Sequence, residues 1–414
     1  MHKCLLFILF LFICVNGYAL DFRFMDSVLL TDINGITEGR LGRVVAINDG
    51  SVVMGAPEQD GQAGAAYQYQ INPQQQLVFV KEFTAQDPSP FRYGGVMVSN
   101  GDLLAIGYAS DKLLEIYVRN GDQWSLSKIL GAPEIGGVTI RGFGRIIDLK
   151  DDLLVVGDPS ANVGSDSNAG VVMIFSRNEG GANQWGLVTH FLDVNAPENP
   201  RFPTDVAISN DLMIAADDLN DRALLFRRIN NSWSYSKHLQ PEESEVDDRF
   251  GISVEAEGDH IAVGALNGND ALSPTNSGSV HIFERNAGGA NHFGQTTQIT
   301  GSSPEFIDRF GESARLREGL LVVGAPGAQQ VYVFANFTGA WEEQQLISPP
   351  QGTAFGNAEF GLDVDYHKGS LIVGADRWND IDGDRFGAVF MYQDRGTVLC
   401  NELNGIFCDS FEKQ

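Results

Sequence analysis

The stretch that decides the fold is "FGESARLREGLLVVGAP", residues 310–326, because its pattern returns along most of the chain. An aromatic residue and a glycine open it, a short run and a tight polar turn follow, and a continuous apolar run ends at Gly324. Two short runs joined by a tight turn predict a β-hairpin. A second run that is apolar throughout is typical of a strand buried on both faces.

The same unit occurs seven times with constant internal spacing. The opening pairs are Leu41-Gly42, Tyr93-Gly94, Phe143-Gly144, Phe202-Pro203, Phe250-Gly251, Phe310-Gly311 and Phe360-Gly361. Thirteen residues after each pair stands a small residue, namely Gly55, Gly107, Gly157, Ala216, Gly264, Gly324 and Gly374. One offset kept in seven copies indicates a repeat fold rather than several unrelated domains.

Each unit also contains a third, β-branched and aromatic run and a fourth, more polar run that an aromatic often opens, such as Trp124 or Trp185. Four strands per unit with almost no helical pattern predict an all-β, seven-bladed β-propeller of four-stranded antiparallel blades. The seventh unit supplies only three strands, and Phe22 to Leu30 is a β-capable run ahead of the first unit. We therefore expect an N-terminal strand to close the ring, which leaves no free edge.

These motifs resemble the FG-GAP repeats of the integrin α-subunit propeller and its exported bacterial relatives, over about Gly39 to Gln393. "GAP" is intact at residues 55–57 and 324–326, and the linkers "RNEGGANQWG" from Arg177 and "RNAGGANHFG" from Arg285 look like a turn of the bacterial proteins. The resemblance implies the propeller fold but no particular activity. The long calcium loop of the family lies between the first two strands of a blade, where this chain has only short turns.

The ends of the chain predict export. A charged start, an apolar run from Cys4 to Val15 and small residues before Asp21 indicate a signal peptide, residues 1–19, cleaved after Ala19. The propeller is expected over residues 20–395 and a short tail over 396–414. In an oxidising compartment Cys400 and Cys408 are expected to form one disulfide. The destination is extracellular, cell-surface or periplasmic.

The charge of the chain restricts its partners. A net charge of −26 and a pI near 4.5 exclude nucleic acid as a partner, because binding phosphates needs a basic surface. No later run is apolar enough to predict a transmembrane segment, so a soluble monomer is expected.

Chemistry-bearing residues are few. The cluster Asp376, Asp380, Asp382 and Asp384 alternates carboxylates with a glycine, as calcium loops do, but it lacks a closing glutamate, so a solvated polar loop is the alternative. Calcium at this cluster is the one cofactor that the sequence suggests. No nucleophile elbow, metallohydrolase helix or phosphate loop is present, which predicts that the protein is not an enzyme. Carboxylates converging from different blades would leave no sequence signal.

The expected function is an exported, non-enzymatic binding or structural scaffold that recognises a protein or polysaccharide, including a cationic one. The loops between strands two and three and between strands four and one emerge on the same side of the disc, vary in length and carry much acid. We name this side the loop-rich face and expect it to bind the partner. Its candidate residues are Glu58, Asp60, Asp158, Asp217, Asp218, Glu242, Glu243, Asp247 and Asp248. The alternatives are a hydrolase or lyase in the central channel, and a structural cell-surface repeat without a specific ligand.

Overall fold

The computed structural model describes residues 18–29, 39–87, 90–108, 113–193, 202–242, 247–268, 276–337, 339–350, 358–379 and 386–398. Within these ranges the chain forms seven four-stranded antiparallel sheets, arranged as blades in a ring. The predicted all-β, seven-bladed propeller is confirmed. None of the helices in the described ranges has the length and apolar character that crossing a membrane requires.

In blades 1 to 6 the four strands follow one another outward from the axis in chain order, and in blade 7 the outer strand comes from the N-terminal end of the chain. The first strands are Val45–Asn48, Val96–Asn100, Ile146–Lys150, Val206–Ser209, Phe250–Glu257, Ser313–Arg317 and Val364–His367. The second strands are Ser51–Ala56, Leu103–Gly107, Leu153–Asp158, Leu212–Asp217, His260–Ala265, Leu320–Ala325 and Ser370–Ala375. The third strands are Ala65–Ile71, Leu113–Asn120, Val171–Ser176, Arg222–Ile229, Ser279–Glu284, Gln330–Ala335 and Ala388–Asp394. The fourth strands are Leu77–Phe83, Gln123–Gly131, Gly186–Phe191, Ser232–Leu239, Gly294–Ile299, Glu342–Ile347 and, from the N-terminal end, Phe22–Leu29.

Short elements complete the described chain. Val138–Thr139 pairs with Asn162–Val163, and Tyr18–Ala19 pairs with Thr397–Val398. One helical turn, Gln59–Gln62, and one 3₁₀ turn, Asp218–Asn220, lie on the loop-rich face between the second and third strands of blades 1 and 4.

The N-terminal strand closes the ring, as the sequence predicts. Phe22–Leu29 runs antiparallel to Ala388–Asp394 and is the outer strand of blade 7. Phe22 is buried and its ring makes an edge contact with Tyr366, while Phe24 on the same strand is 41% exposed. The first and last parts of the propeller are therefore held by one sheet.

The constant thirteen-residue offset has a steric cause. The FG glycine and the GAP glycine of one blade are joined by a backbone hydrogen bond, as from Gly311 N to Gly324 O at 3.1 Å. The same GAP glycine also abuts the FG glycine of the next blade, since a Cβ on Gly324 would lie 2.0 Å from Gly361 O. Equivalent contacts recur at Gly55, Gly107, Gly264 and Gly374. The repeated glycines thus permit close contact between neighbouring blades.

The hydrophobic core lies between blades rather than in one centre. Each apolar cluster joins the facing sides of neighbouring sheets, as where Phe310 and Tyr332 of blade 6 pack with Val280 and Ile282 of blade 5. The aromatics that open the fourth strands belong to these contacts, because Trp124, Trp185 and Phe293 are buried. These rings therefore pack between the blades.

Candidate functional site

Charged side chains gather on the axis of the disc. The residue four positions after the FG pair is Asp148 in blade 3, Glu255 in blade 5, Arg315 in blade 6 and Asp365 in blade 7. Arg315 is the centre of this group, with Nη1 2.6 Å from Glu255 Oε1 and Nε 3.1 Å from Asp365 Oδ1. Burial opposes the charge of Arg315, but the surrounding carboxylates prevail and raise its pKa. Carboxylates from several blades therefore converge, as the alternative hydrolase hypothesis required.

The axial aspartates bind the backbone of the next blade. Asp148 Oδ2 accepts from Ile208 N at 2.6 Å, and Asp365 Oδ2 accepts from Ile47 N at 2.8 Å. Asp205 and Asp363, two positions nearer the FG pair, accept in the same way from Val254 N and Val45 N. The inner edge of a first strand has no further strand to pair with. These carboxylates supply the acceptors that a neighbouring strand would supply.

Burial sets the protonation of this axial group. It raises the pKa of Asp205 to about 7 and that of Asp363 to about 6, although both accept backbone hydrogen bonds that favour the charged form. Burial also raises the pKa of Asp148, and that of Glu255 well above its usual range despite Arg315. Asp205 and Asp363 therefore change charge near neutral pH.

On the loop-rich face, four of the predicted binding residues make structural contacts. Glu58 pairs with Arg92 of the next blade at 3.0 Å, and Asp218 accepts from Arg249 Nε of the next blade at 2.9 Å. Asp217 is buried against Arg222, while Asp158 is buried and accepts from the backbone of residues 141, 142 and 160. Their charge is therefore offset by arginines or backbone amides.

The remaining predicted residues of this face differ in exposure. Asp60, Glu242 and Asp247 are exposed, and Asp248 is largely buried. Glu243 lies outside the described residues. Exposed apolar side chains stand nearby in the fold: Leu219 in the 3₁₀ turn of blade 4, and Phe306 and Ile307 in the loop that leads into blade 6, with Ile307 53% exposed.

The predicted calcium loop is described only at its start. Asp376 is fully buried and pairs with Arg40 Nε at 3.2 Å and with Arg43 Nη1 at 3.4 Å. Burial raises its pKa to about 6, against the effect of the two arginines. Asp380, Asp382 and Asp384 lie outside the described residues, as do Cys400 and Cys408. Among the residues that the structure describes, no group of three or more His, Cys, Asp or Glu side chains is arranged to hold a metal ion.

The opposite face carries ion pairs that explain the recurring "GGAN" linkers. Arg177, which opens the first linker, reaches Asp102 of the preceding blade at 3.1 Å. Arg285, which opens the second, reaches Asp211 of the preceding blade at 2.6 Å. Sequence reasoning treated these linkers only as a family signature. Their arginines in fact bridge neighbouring blades.

Sequence reasoning also missed the axial group. Its signal was present: Asp148, Asp205, Glu255, Asp363 and Asp365 occur in short runs that are otherwise largely apolar. In a half-buried strand a carboxylate needs a partner. Aligning the seven units on the FG pair would have placed these acids at two equivalent positions.

A comparison with protein families adds one match. The model of the FG-GAP repeat matches residues 233–283, which cover the outer strand of blade 4 and the first three strands of blade 5. A comparison with curated proteins finds no match. The family match and the seven blades agree on an FG-GAP propeller, a fold used for ligand binding or as a scaffold.

Proposed function

We propose that this FG-GAP propeller is an exported, non-enzymatic binding scaffold whose loop-rich face recognises a protein with a basic and apolar surface. The observation that carries the proposal is the sector of blades 4 to 6, where exposed apolar and acidic side chains occur on successive loops. It comprises Leu219, Glu242, Asp247, Phe306 and Ile307. Aromatic and aliphatic anchors within a charged surround are typical of protein interfaces. A polysaccharide partner would be expected to need more exposed aromatic faces.

The loop that presents Phe306 and Ile307 has a defined conformation. Ile307 N donates to Asn276 O of blade 5 at 3.1 Å, and Gly327 N donates to Asp308 O at 3.0 Å. Ile307 has a φ of 66°, which is rare for a β-branched residue. Strained residues are retained where the surroundings impose them, and they concentrate at functional sites. An exposed apolar pair in which Ile307 is held in a strained conformation supports a recognition role.

Charge supports the choice of a basic partner. The formal charge of −26 would attract a cationic surface from solution, with an association rate that falls as salt rises. Because Glu58, Asp217 and Asp218 are paired within the face, we assign the contact with the partner to exposed Asp60, Glu242 and Asp247 instead. The Asp376 carboxylate forms ion pairs with two arginines, Arg40 and Arg43. We therefore propose that any calcium ion in this loop is bound by Asp380, Asp382 and Asp384.

Site-specific photo-crosslinking tests the proposal. A photoreactive phenylalanine analogue replaces Phe306 in one variant and Phe79, 51% exposed on the outer strand of blade 1, in the control. Both are incubated with the secreted and envelope fractions of the producing cells. A discrete adduct at position 306 but not at 79 is expected. No adduct at 306, or equal adducts at both positions, contradicts the proposal.

With the partner identified, point variants measure the contact. Phe306→Ser and the combined Glu242→Gln and Asp247→Asn variant should each weaken binding about tenfold or more, as hot-spot residues do. Phe79→Ser should leave it unchanged. If replacing Asp380, Asp382 and Asp384 by Asn abolishes binding while these variants do not, the sector is wrong and the predicted acidic loop is the contact.

A second candidate, a hydrolase or lyase in the channel, is favoured by the convergence of Glu255 and Asp365 on Arg315. Because Asp148, Asp205, Asp363 and Asp365 all bind backbone amides, Glu255 is the carboxyl group best placed for acid catalysis. A screen of glycoside and ester substrates tests it. Turnover that Glu255→Gln abolishes and Asp60→Asn leaves intact would replace our first proposal.

A further inference from the structure

A cavity lies on the axis, in the half of the channel where the first strands end. It opens to solvent, the space between its walls and the adjoining solvent is about 550 Å³, and first strands of all seven blades line it. Asn100, Lys150, Glu257 and Arg317, each the last residue of its strand, surround it. Its chemistry is therefore set by side chains that approach the axis from different blades.

The carboxylates of this cavity already have partners. Asp148 and Asp365 each accept two backbone N–H bonds, one from the next blade and one from the following residue. Glu257 accepts from Glu318 N at 2.8 Å and Gly319 N at 3.3 Å, and Glu255 pairs with Arg315 at 2.6 Å. These carboxylates therefore have hydrogen-bond or ion-pair partners without a bound cation.

The hydrogen-bond donors that line the cavity have fewer close acceptors. Lys150 lines the cavity and its ammonium group is attracted to the Asp148 carboxylate, but no ion pair within 4 Å joins it to another described residue. Arg317 makes only long contacts, at 3.4 Å to Ile47 O and 3.8 Å to Asp365 Oδ1. Lys150 belongs to blade 3 and Arg317 to blade 6, so they lie on opposite walls of a seven-bladed ring.

Ser99 of blade 2 is a third unmatched donor. It is 7% exposed, lines the cavity, and its hydroxyl has no hydrogen-bond partner. At the equivalent position of blades 1 and 4, the amides of Ile47 and Ile208 bind the carboxylates of Asp365 and Asp148 from the preceding blade. For Ser99 the corresponding residue of the preceding blade is Ala46, whose side chain has no acceptor; Val98 and Ala207 at the same position of blades 2 and 4 have none either.

We propose that the axial cavity binds a small, acceptor-rich anion, with carboxylate or phosphate oxygens between Ser99, Lys150 and Arg317. The anion supplies to the Ser99 hydroxyl the oxygen atoms that a carboxylate supplies to the backbone amides of blades 1 and 4. It also gives the Lys150 ammonium group a close negative partner in addition to the attraction of Asp148. Entry is not opposed by Asp102 and Asp211 at the short turns, since Arg177 and Arg285 pair with them. This site is separate from the loop-rich face of the proposed function.

Calorimetry and thermal unfolding at constant ionic strength test the proposal. Inorganic phosphate and malonate are each titrated against chloride, which separates a phosphate from a carboxylate source. Saturable binding of at least one, with a midpoint temperature that rises with its concentration, is expected. Absence of saturable binding by both anions overturns the proposal.

Variants locate the site. Lys150→Met and Arg317→Met should each weaken anion binding tenfold or more, while Lys150→Arg should retain it. Lys128→Met, on the outer strand of blade 2, is the control and should bind as the parent does. Ala46→Asp places a carboxylate where blades 3 and 7 have one, so it should abolish binding while the protein stays folded. Binding that survives both Lys150→Met and Ala46→Asp overturns the proposal.

Discussion

Ring closure by the N-terminal strand is tested by one buried side chain of that strand. Phe22 is 3% exposed and packs in the core between blades 6 and 7, in edge contact with Tyr366 at 5.9 Å. Truncating a buried phenylalanine to alanine costs about 3–5 kcal/mol, through lost transfer energy and the cavity left behind. Phe22→Ala should lower the free energy of unfolding by that amount, measured by urea denaturation at constant protein concentration.

Phe24 is the matched control on the same strand. It is 41% exposed and makes an edge contact with Tyr392 at 5.8 Å, so Phe24→Ala should cost only about 1 kcal/mol. If the strand did not close the ring, neither side chain would contribute to the free energy of unfolding. Equal losses below about 1 kcal/mol for both variants would therefore refute closure by Phe22–Leu29, because a buried aromatic cannot be removed so cheaply.

Three further predictions concern stability. Gly324→Ala, whose Cβ would lie 2.0 Å from Gly361 O, should lower the unfolding free energy by about 2 kcal/mol or more, whereas Gly136→Ala, in open space, should change the urea midpoint little. Glu115 is buried and accepts hydrogen bonds from Tyr93, Tyr108, Tyr117 and the backbone of residue 86, so Glu115→Gln should cost about 3 kcal/mol by the same assay. Burial raises the pKa of Asp205 to about 7 and that of Asp363 to about 6, above the value near 4 of an unfolded chain. These two groups therefore bind more protons in the folded state between these values, which lowers the urea midpoint as pH rises from 5 to 7.5. His281, whose pKa burial lowers to about 4, acts in the opposite direction, so the test compares the parent with the combined Asp205→Asn and Asp363→Asn variant: the midpoint should fall more steeply in the parent, and equal slopes would refute the prediction.

The repeat could be predicted from sequence because its cause is local and recurs. A glycine at the FG position takes a positive φ, 87° at Gly311, and a glycine at the GAP position lets the next blade approach. Both requirements act on backbone atoms, so they leave the same residue at the same place in nearly every unit. The exception in blade 4, Ala216, keeps the small volume that the contact requires.

The charge pattern of the loop-rich face could not be predicted in the same way. Glu58 and Asp218 stand in acidic, polar loops, which is typical of solvated residues. Their partners Arg92 and Arg249 are about thirty positions away in the next blade, and the pairing exists only once the blades are side by side. Arginine before the FG pair recurs at positions 40, 92, 249 and 309, which is the signal that could have indicated these bridges.

The axis of the disc shows where the acceptor pattern of the repeat is incomplete. Every first strand directs unpaired backbone groups inward, and a ring of identical blades would need the same acceptor from each neighbour. Four residues after the FG pair, Asp148 and Asp365 provide that acceptor to the following blade, whereas the side chains of Ala46, Val98 and Ala207 provide none. Ala46 lines the cavity together with Ser99, whose hydroxyl has no hydrogen-bond partner, and with Lys150, whose ammonium group is attracted to Asp148 without an ion pair. Buried donors without acceptors are costly, so such a combination is stable only if water or a ligand supplies the missing oxygen atoms. Of the positions without a carboxylate, the one that faces Ser99 also has a buried hydroxyl with no partner, which is why we place the proposed anion there.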